Sequence, residues 1–412
     1  MTGRHACLAA LALAATPAAG TAQAVETIDL ARMRPTGLLV DPYSYMTPPH
    51  SAWYFHHIDE LGFRIDPVRR SGPVVPLVAA VTPLPADLQR DLGLEDYFAR
   101  TGVTGFLILR RDTVLLERYF HGADRRSRFV SQSIAKSILS ILVGIAVDEG
   151  TIRSVDDSVT RYLPDLAGTG YAGVTVKQAL QMATGVDYSE DYRDSTSGAA
   201  AIGAALITGR PAFADFVRSM RPTSVAPGTA FQYQSVNSQL LGNLLERVTG
   251  ASLADFAERA LWSRLGAEAD AFFYQARDQA QTCAFACFNA TLRDYARVGR
   301  LMQGGGEIGG RRVVSAEWVR RSVTPDADWL RPVAPGAPGG PRMGYGFQWW
   351  IAPGDDGAFL AIGIFGQAIY VNPARRLVVV QTAAWSSPIG DRGEGRERLA
   401  LFSAIADRLG VP

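Results

Sequence analysis

The chain has 412 residues, of which 47% are hydrophobic, and a formal net charge of +1. A chain of this length and apolar content can bury a large core, as one large domain or two intertwined ones. The near balance of charges argues against nucleic acid or an anionic membrane surface as the main partner, so we expect a small-molecule substrate.

Residues 1–24 have the pattern of a secretory signal peptide. An early arginine precedes an Ala/Leu-rich run, and Ala22-Gln23-Ala24 forms a small-residue cleavage site. This run is too short to span a bilayer, and no later apolar run predicts a membrane span. We therefore expect an exported protein, periplasmic or secreted, that begins near Val25; the sequence does not indicate its oligomeric state.

Residues 25–94 are rich in proline and aromatic residues and have little periodicity, which predicts an extended N-terminal segment packed on the body of the protein. Two apolar, β-rich runs follow at 106–109 and 114–120, and the residues that join them favour a hairpin. The hairpin leads directly into a predicted helix that begins near Ser133.

This helix carries the strongest functional signal in the chain. From Ile138 onward its apolar residues recur at helical spacing, and Gly150 is placed to end it. Ser133 and Lys136 are three residues apart, so they share one face and the lysine amine can reach the serine hydroxyl. The free N–H groups of the first helical turn point at whatever binds there. The pattern predicts a nucleophile, a base and half of an oxyanion site.

The scarcity of lysine supports this interpretation. Lys136 and Lys177 are the only lysines among 41 basic residues. Where arginine serves for ordinary charge, a lysine in an apolar helix indicates a need for an amine that can lose its proton. The alternative for so short a motif is a lysine that extends from a core helix toward solvent.

Residues 151–305 have helical periodicity or composition through most of their length, which predicts an inserted helical domain. Within it, Tyr233 lies just before a predicted helix, where a phenol held by cations can act as a proton relay. Ser235 and Asn237 follow at alternating positions and can hydrogen-bond the lysine or a substrate. The alternative is a tyrosine that anchors a loop while Asn237 caps the helix.

The loop that contains Tyr192 is a further candidate. Tyr192 can wall a substrate pocket or be a rim aromatic residue, and Asp187 and Glu190 can meet a substrate ammonium or stay solvated.

Cys283 and Cys287 are the cysteines that remain once residues 1–24 are removed. In an oxidising compartment, two cysteines four residues apart can close a small disulfide loop, and we predict this bond. We predict no metal and no other cofactor, because the cysteines have no further ligands nearby and the histidines do not form an HExxH helix.

Apolar runs after residue 305 predict a set of strands and a closing helix at 396–409. The predicted strands are 311–314, 345–351, 359–364, 367–371 and 377–384. Strands at both ends of the chain with helices between them predict an α/β (α+β) fold. In this fold, residues 95–150 and 306–412 build an antiparallel sheet flanked by helices, and residues 151–305 form the helical domain.

A serine hydrolase that uses a histidine base in the α/β-hydrolase order is excluded. The chain has five histidines (His5, His50, His56, His57 and His121), and none of them follows Ser133. The GxSxG elbow that such enzymes place around their nucleophile is also missing.

The segments SIAK at 133–136 and YQS at 233–235, with Asn237, resemble the serine β-lactamase and penicillin-binding protein superfamily, most closely its class C and esterase branch. The segments LVGIAVDEG, DDSVTRYLPDL, NATLRDYARVGRLM and AIGIFGQAIYVNP are similar to serine hydrolases of the 6-aminohexanoate-dimer hydrolase type. The resemblance implies a β-lactamase-like fold, with the site between the sheet domain and the helical domain.

The resemblance also implies roles for individual residues. Ser133 is the acyl-forming nucleophile, Lys136 the base or charge partner, and Tyr233 the proton relay to the leaving group. The backbone N–H groups of Ser133 and Ile364 form the oxyanion hole. Which of Lys136 and Tyr233 is the general base is left open.

At one position the sequence departs from the superfamily motifs, and this departure narrows the class of expected substrates. Its β-lactamases and D-alanyl peptidases usually carry Lys-Thr-Gly on the strand that corresponds to 363–367, where this chain has no lysine or histidine. This favours a neutral ester or amide acyl group. Phe365 and Gln367 on this strand join Ser235, Asn237 and Tyr192 as predicted substrate-binding residues.

Three functions follow from these observations. The first is a hydrolase of small esters or amides that forms an acyl-Ser133 intermediate, with linear 6-aminohexanoate oligomers among its possible substrates. The second is a β-lactamase or D-alanyl peptidase that acts on cell-wall-like substrates. The third is a non-catalytic acyl-binding or penicillin-sensing domain.

Overall fold

The computed structural model describes residues 46, 48 and 50–409, except 334–341 and 355. The predicted signal peptide at 1–24 and the first part of the predicted N-terminal segment, 25–45, lie outside the described residues. Within the described ranges, no helix combines the length and the apolar character that crossing a bilayer requires.

The elements are as follows. The strands are β1 Arg64–Val68, β2 Val78–Ala79, β3 Val103–Arg110, β4 Thr113–Tyr119, β5 Phe129–Val130, β6 Ala271–Gln275, β7 Phe288–Ala290, β8 Glu307–Ile308, β9 Arg311–Arg312, β10 Gly344–Tyr345, β11 Trp350–Ile351, β12 Phe359–Ile362, β13 Ala368–Asn372 and β14 Leu377–Ala383. The α-helices are Ser51–Tyr54, Ala86–Asp91, Leu94–Thr101, Ile134–Asp148, Val176–Leu180, Gly198–Thr208, Phe213–Arg218, Ser235–Thr249, Leu253–Ala257, Ser263–Leu265, Leu292–Gln303, Ala316–Val323 and Glu394–Leu409.

The large sheet joins the two ends of the chain. Its strand order is β10-β11-β12-β13-β14-β3-β4-β2, with β14 from the C-terminal region paired antiparallel to β3 from the N-terminal region. The predicted hairpin is the β3–β4 pair, and the one parallel pair that the structure describes in this sheet is β2–β4. The sheet and its flanking helices confirm the predicted α/β (α+β) class.

Alternation along the central strands divides the core into two clusters. Leu107, Leu109, Val378 and Val380 belong to the larger cluster, which also contains the buried face of the Ile134–Asp148 helix. The residues between them along the same strands belong to the smaller cluster on the opposite side, with the closing helix Glu394–Leu409. Because successive side chains of a strand point to opposite faces, β3 and β14 are buried on both sides and separate two layers of helices.

A second, four-stranded sheet has the order β1-β6-β7-β5, with every pair antiparallel. Strands β6 and β7 lie inside the span 151–305, for which the sequence predicts a helical domain. Every residue of β6 and β7 is buried, so these strands have none of the alternation that would have distinguished them from a buried helix. The boundaries of the predicted domains stay a prediction.

The predicted strand at 345–351 is interrupted. Gln348 lies between β10 and β11 with a φ of 62°, and its side chain turns into the protein. Its side-chain nitrogen donates to the Leu180 carbonyl oxygen at 2.8 Å, and its side-chain oxygen accepts from Ser238 Oγ at 2.7 Å. This buried amide joins the edge of the large sheet to the helices Val176–Leu180 and Ser235–Thr249, a link that hydrophobic periodicity does not reveal.

The helix Leu292–Gln303 packs on β13, β14 and β3 through a glycine. A Cβ atom at Gly299 would lie 2.6 Å from Val378 Cγ1 and 2.9 Å from Ile369 Cγ2, so only glycine allows this approach. The predicted span 151–305 thus ends in a helix that packs on the large sheet.

Gly299→Ala is expected to lower the free energy of unfolding by about 1–2 kcal/mol, because overpacking outweighs the gain in helix propensity. Chemical denaturation with and without Val378→Ala measures the coupling, and the valine truncation should cost less in the Gly299→Ala background. Gly395→Ala is the matched control, because the nearest atom to a Cβ at Gly395 lies 3.8 Å away. Equal valine costs in both backgrounds would contradict the close packing.

Candidate active site

Ser133 is the N-cap residue of the helix Ile134–Asp148, yet its side chain does not cap that helix. Its hydroxyl oxygen instead accepts a hydrogen bond from Lys136 Nζ at 2.8 Å. The preceding residue, Gln132, has a φ of 45°, a left-handed conformation that is strained for a residue with a side chain. This turn leads from strand β5 into the helix and leaves the hydroxyl available for chemistry.

The Lys136 amine is buried, with 1% of the residue exposed. Within the part of the chain that the structure describes, its hydrogen-bond acceptors are Ser133 Oγ and the Phe285 carbonyl oxygen, the latter at 2.7 Å. Burial lowers the pKa of Lys136 to about 8, while the carboxylate of Glu190 opposes the shift. Part of the amine is therefore unprotonated near neutral pH, and this neutral form can accept a proton.

Tyr233 lies beside this pair. Lys136 Nζ is 5.4 Å from the centre of the Tyr233 ring, and the ring stacks on Trp350 with centroids 5.4 Å apart. Burial raises the pKa of the Tyr233 phenol, as does Glu190, and a hydrogen bond with Ser133 opposes both. The phenol thus keeps its proton at neutral pH and can act as a donor.

The end of strand β12 lies against the segment that precedes Ser133. A Cβ atom at Gly363 would be 2.5 Å from the Ser131 carbonyl oxygen and 2.9 Å from Gln132 Cβ, so a side chain does not fit there. Ile364 follows, and among the described residues neither its N–H group nor that of Ser133 has an acceptor. Two unpaired N–H groups carried by adjoining segments are what an oxyanion hole requires.

A cavity of about 570 Å³ opens in front of Ser133. The helix Gly198–Thr208 forms much of one wall with small side chains, and Tyr188, Phe285 and Phe365 add aromatic surface. Charged groups on this cavity come from one loop and are Glu190, Arg193 and Asp194. The site therefore combines a polar catalytic corner with a mainly apolar space.

Three of the predicted substrate-binding residues line the cavity: Ser235, Tyr192 and Phe365. Glu190 holds the first two, because its carboxylate accepts from Ser235 N at 2.7 Å, Ser235 Oγ at 2.6 Å and Tyr192 Oη at 2.6 Å. Glu190 thus ties its loop to the start of the helix Ser235–Thr249, next to Tyr233.

The structure does not bring Asn237 and Gln367 to the cavity. The Asn237 side chain is buried behind the site, where its oxygen accepts from Tyr171 Oη and Thr184 Oγ1, each at 3.0 Å. The Gln367 side-chain nitrogen donates to the Ala383 carbonyl oxygen at 2.6 Å, and its side-chain oxygen accepts from the Ala383 N–H at 3.1 Å. Asn237 thus links side chains behind the site and Gln367 holds the backbone of a neighbouring strand, and alternation along the sequence does not distinguish these roles from substrate contact.

Sequence reasoning missed the Phe285 carbonyl, the helix Gly198–Thr208 and Gln132. A backbone acceptor leaves no signal in the residue type, and the run GAAAIGAALIT reads as an ordinary helix. The side-chain nitrogen of Gln132 is buried at the cavity with no partner among the described residues.

The structure joins Cys283 to Cys287, and both residues are fully buried. Over the same described ranges, no group of three or more His, Cys, Asp or Glu side chains is arranged to hold a metal ion.

The chain is similar to known proteins in sequence and in fold. A family model described as beta-lactamase matches residues 94–404. The 6-aminohexanoate-dimer hydrolase of Paenarthrobacter ureafaciens is 34% identical over 361 residues, which cover 84% of this chain and 88% of that protein.

Two solved structures share the fold. The putative 6-aminohexanoate-dimer hydrolase from Bacillus anthracis has a TM-score of 0.76 and 22% identity, covering 91% of this chain and 99% of that one. A family VIII carboxylesterase has a TM-score of 0.58 and 19% identity, covering 84% of this chain and 100% of that one.

If the Ile364 N–H is an oxyanion-hole donor, Gly363→Ala should displace it and reduce kcat for ester hydrolysis by about tenfold or more, which is part of the roughly hundred- to thousandfold that such a donor contributes. Steady-state kinetics and thermal unfolding are measured together, with Gly395→Ala as the control glycine substitution. A folded Gly363→Ala enzyme with wild-type kcat would remove Ile364 from the oxyanion hole.

Proposed function

Because the chain belongs to the beta-lactamase family and is a serine hydrolase that acts on ester or amide bonds, we propose that it works through an acyl intermediate on Ser133. The family membership confirms the resemblance inferred from the motifs. The observation that carries the proposal is the 2.8 Å contact between Ser133 Oγ and a buried amine whose pKa is lowered to about 8.

In the proposed acylation step, the neutral Lys136 amine takes the Ser133 proton as Oγ attacks the substrate carbonyl carbon. The carbonyl oxygen becomes an oxyanion that accepts hydrogen bonds from the N–H groups of Ser133 and Ile364. As the tetrahedral intermediate collapses, the Tyr233 hydroxyl gives its proton to the leaving alcohol or amine, and the Lys136 ammonium restores the phenol. Water then replaces the leaving group and reverses the sequence to release the acid.

The opposite pKa shifts of Lys136 and Tyr233 support this assignment of roles. A general base is most effective when its pKa lies near the working pH, and burial moves Lys136 toward that range. Burial moves the pKa of Tyr233 away from it, which favours the protonated phenol. We therefore propose Lys136 as the base and Tyr233 as the acid.

The cavity supports a neutral, extended acyl group as the substrate portion next to Ser133. The helix Gly198–Thr208 lines it with Ala and Gly together with Ile202 and Leu206, and residues 363–367 contribute no cation to meet a substrate carboxylate. Both the curated relative and the Bacillus structure carry names that refer to the 6-aminohexanoate dimer. We propose short linear esters and amides as substrates, with linear aminohexanoate oligomers among them.

The β-lactamase or D-alanyl peptidase alternative has less support, because recognition of such substrates relies on a cation that residues 363–367 lack. A panel of chromogenic short-chain esters, a chromogenic cephalosporin and an aminohexanoate dimer separates the two. We expect turnover of the esters or the dimer and slow turnover of the cephalosporin. The reverse ranking would overturn the proposed substrate class.

We also propose that the protein is exported. The support is the signal-like pattern at 1–24 and a cysteine pair suited to an oxidising compartment. N-terminal sequencing of protein recovered outside the cytoplasm should find a start near Val25, and a retained Met1 would contradict the proposal.

Ser133→Ala should abolish hydrolysis and labelling by a serine-directed phosphonate while the fold stays intact, because the change removes the nucleophile and little packing. Intact-protein mass and circular dichroism provide the readouts. A phosphonate adduct on the Ser133→Ala protein would show that another residue is the nucleophile.

Lys136→Arg should be nearly as damaging as Lys136→Ala, although it keeps the positive charge, because arginine does not accept the Ser133 proton. Wild-type kcat/KM should rise with pH through about 8 as the Lys136 amine loses its proton, and neither variant should show that rise. General bases contribute on the order of a hundred- to ten-thousandfold, so a Lys136→Arg rate within about tenfold of wild type would reject lysine as the base.

A further inference from the structure

The Cys283–Cys287 disulfide closes a loop whose middle residue is Phe285. The carbonyl oxygen of Phe285 is the acceptor that lies 2.7 Å from Lys136 Nζ, and its ring lies 5.7 Å from the same nitrogen. The covalent link therefore spans the residue whose backbone carbonyl contacts the proposed base.

The ends of this loop are held firmly by other elements. The Cys283 N–H donates to Gln275 Oε1 at 3.3 Å, and the Cys287 carbonyl oxygen accepts from the Tyr274 N–H at 3.1 Å. The Ala284 N–H donates to Gln239 Oε1 at 3.0 Å. Strand β6 and the helix Ser235–Thr249 thus fix the loop on two sides.

The Phe285 carbonyl has no such support. Among the described residues Lys136 is its only hydrogen-bond donor, and no strand or helix ladder includes it. Its direction therefore depends on the conformation of the loop, which the disulfide restricts. A shift of this carbonyl would leave the buried amine with Ser133 Oγ as its one described acceptor.

We propose that the Cys283–Cys287 disulfide is a positioning element of the active site, which fixes the Phe285 carbonyl so that the Lys136 amine stays directed at Ser133 Oγ. This inference rests on the proposed function of Lys136 as the base. The same chain folded under reducing conditions lacks the link, so its Ser133 should be acylated more slowly.

The test compares the exported, oxidised enzyme with Cys283→Ala/Cys287→Ala. We expect kcat on the best ester to fall about tenfold to a hundredfold, because small misplacements of catalytic groups cost that much. Among the described residues, the polar and charged side chains that face Lys136 are those of Ser133, Tyr233 and Glu190, and the variant changes none of them. Loss of an acceptor disfavours the ammonium, so the rise of kcat/KM with pH should move to lower pH.

Two control variants separate positioning from stability. Gly299→Ala weakens the fold at a distance from the loop and should keep the wild-type kcat and pH profile. Gly395→Ala lies in the closing helix Glu394–Leu409, where the nearest atom to an added Cβ is 3.8 Å away, and should leave kcat, KM and the pH profile unchanged.

A double cysteine variant that loses thermal stability but keeps the wild-type kcat and pH profile would overturn the proposal. If that variant does not fold, the wild-type chain folded under reducing conditions, with its two free thiols confirmed by intact mass, should show the same fall in kcat and the same shift of the pH profile; wild-type values there would overturn the proposal equally. A failure of the proposed function is distinguishable from a failure of this inference. If Lys136 is not the base, Lys136→Ala keeps its activity although its disulfide is intact.

Discussion

The rest of the site depends on one constraint, the burial of a lysine amine in an apolar interior. An amine held out of water loses much of its preference for the charged form, which lowers the pKa of Lys136 to about 8. The same burial would be costly if the amine had no acceptors. Ser133 Oγ and the Phe285 carbonyl oxygen accept hydrogen bonds from the amine. The first of these bonds also places the amine where it can take the proton of the serine hydroxyl.

Several distant parts of the chain meet to satisfy this constraint. The helix Ile134–Asp148 presents the pair, the segment before the helix Ser235–Thr249 brings Tyr233, and the turn after β12 brings Ile364. Left-handed backbone at residues with side chains recurs here, at Gln132 and Phe365. Such conformations cost on the order of 1–3 kcal/mol each, and they persist because surrounding contacts over-determine them. Part of the stability of the large sheet and its helices thus maintains the geometry of the site.

Glu190 links its own loop, which also carries Tyr192, to the residues around Lys136 and Tyr233. Its carboxylate bonds Ser235 and Tyr192, and its charge favours the protonated forms of Lys136 and Tyr233. Burial and this carboxylate therefore act in opposite directions on the lysine and in the same direction on the tyrosine. The same environment therefore brings the pKa of Lys136 closer to neutral pH and moves the pKa of Tyr233 further above it. This difference suits the lysine to accept a proton and the tyrosine to donate one.

The sequence by itself determined the fold class, the hairpin, the C-terminal strands and the juxtaposition of Ser133 and Lys136, because these follow from periodicity and from spacing within one helix. It did not distinguish Asn237 and Gln367, which are buried behind the site, from Ser235 and Phe365, which line the cavity. It also missed strands β6 and β7, which are buried throughout and carry no alternation. Only the tertiary structure decided which backbone groups face the amine, because a carbonyl such as that of Phe285 is common to every residue type and its direction is set by contacts between distant segments.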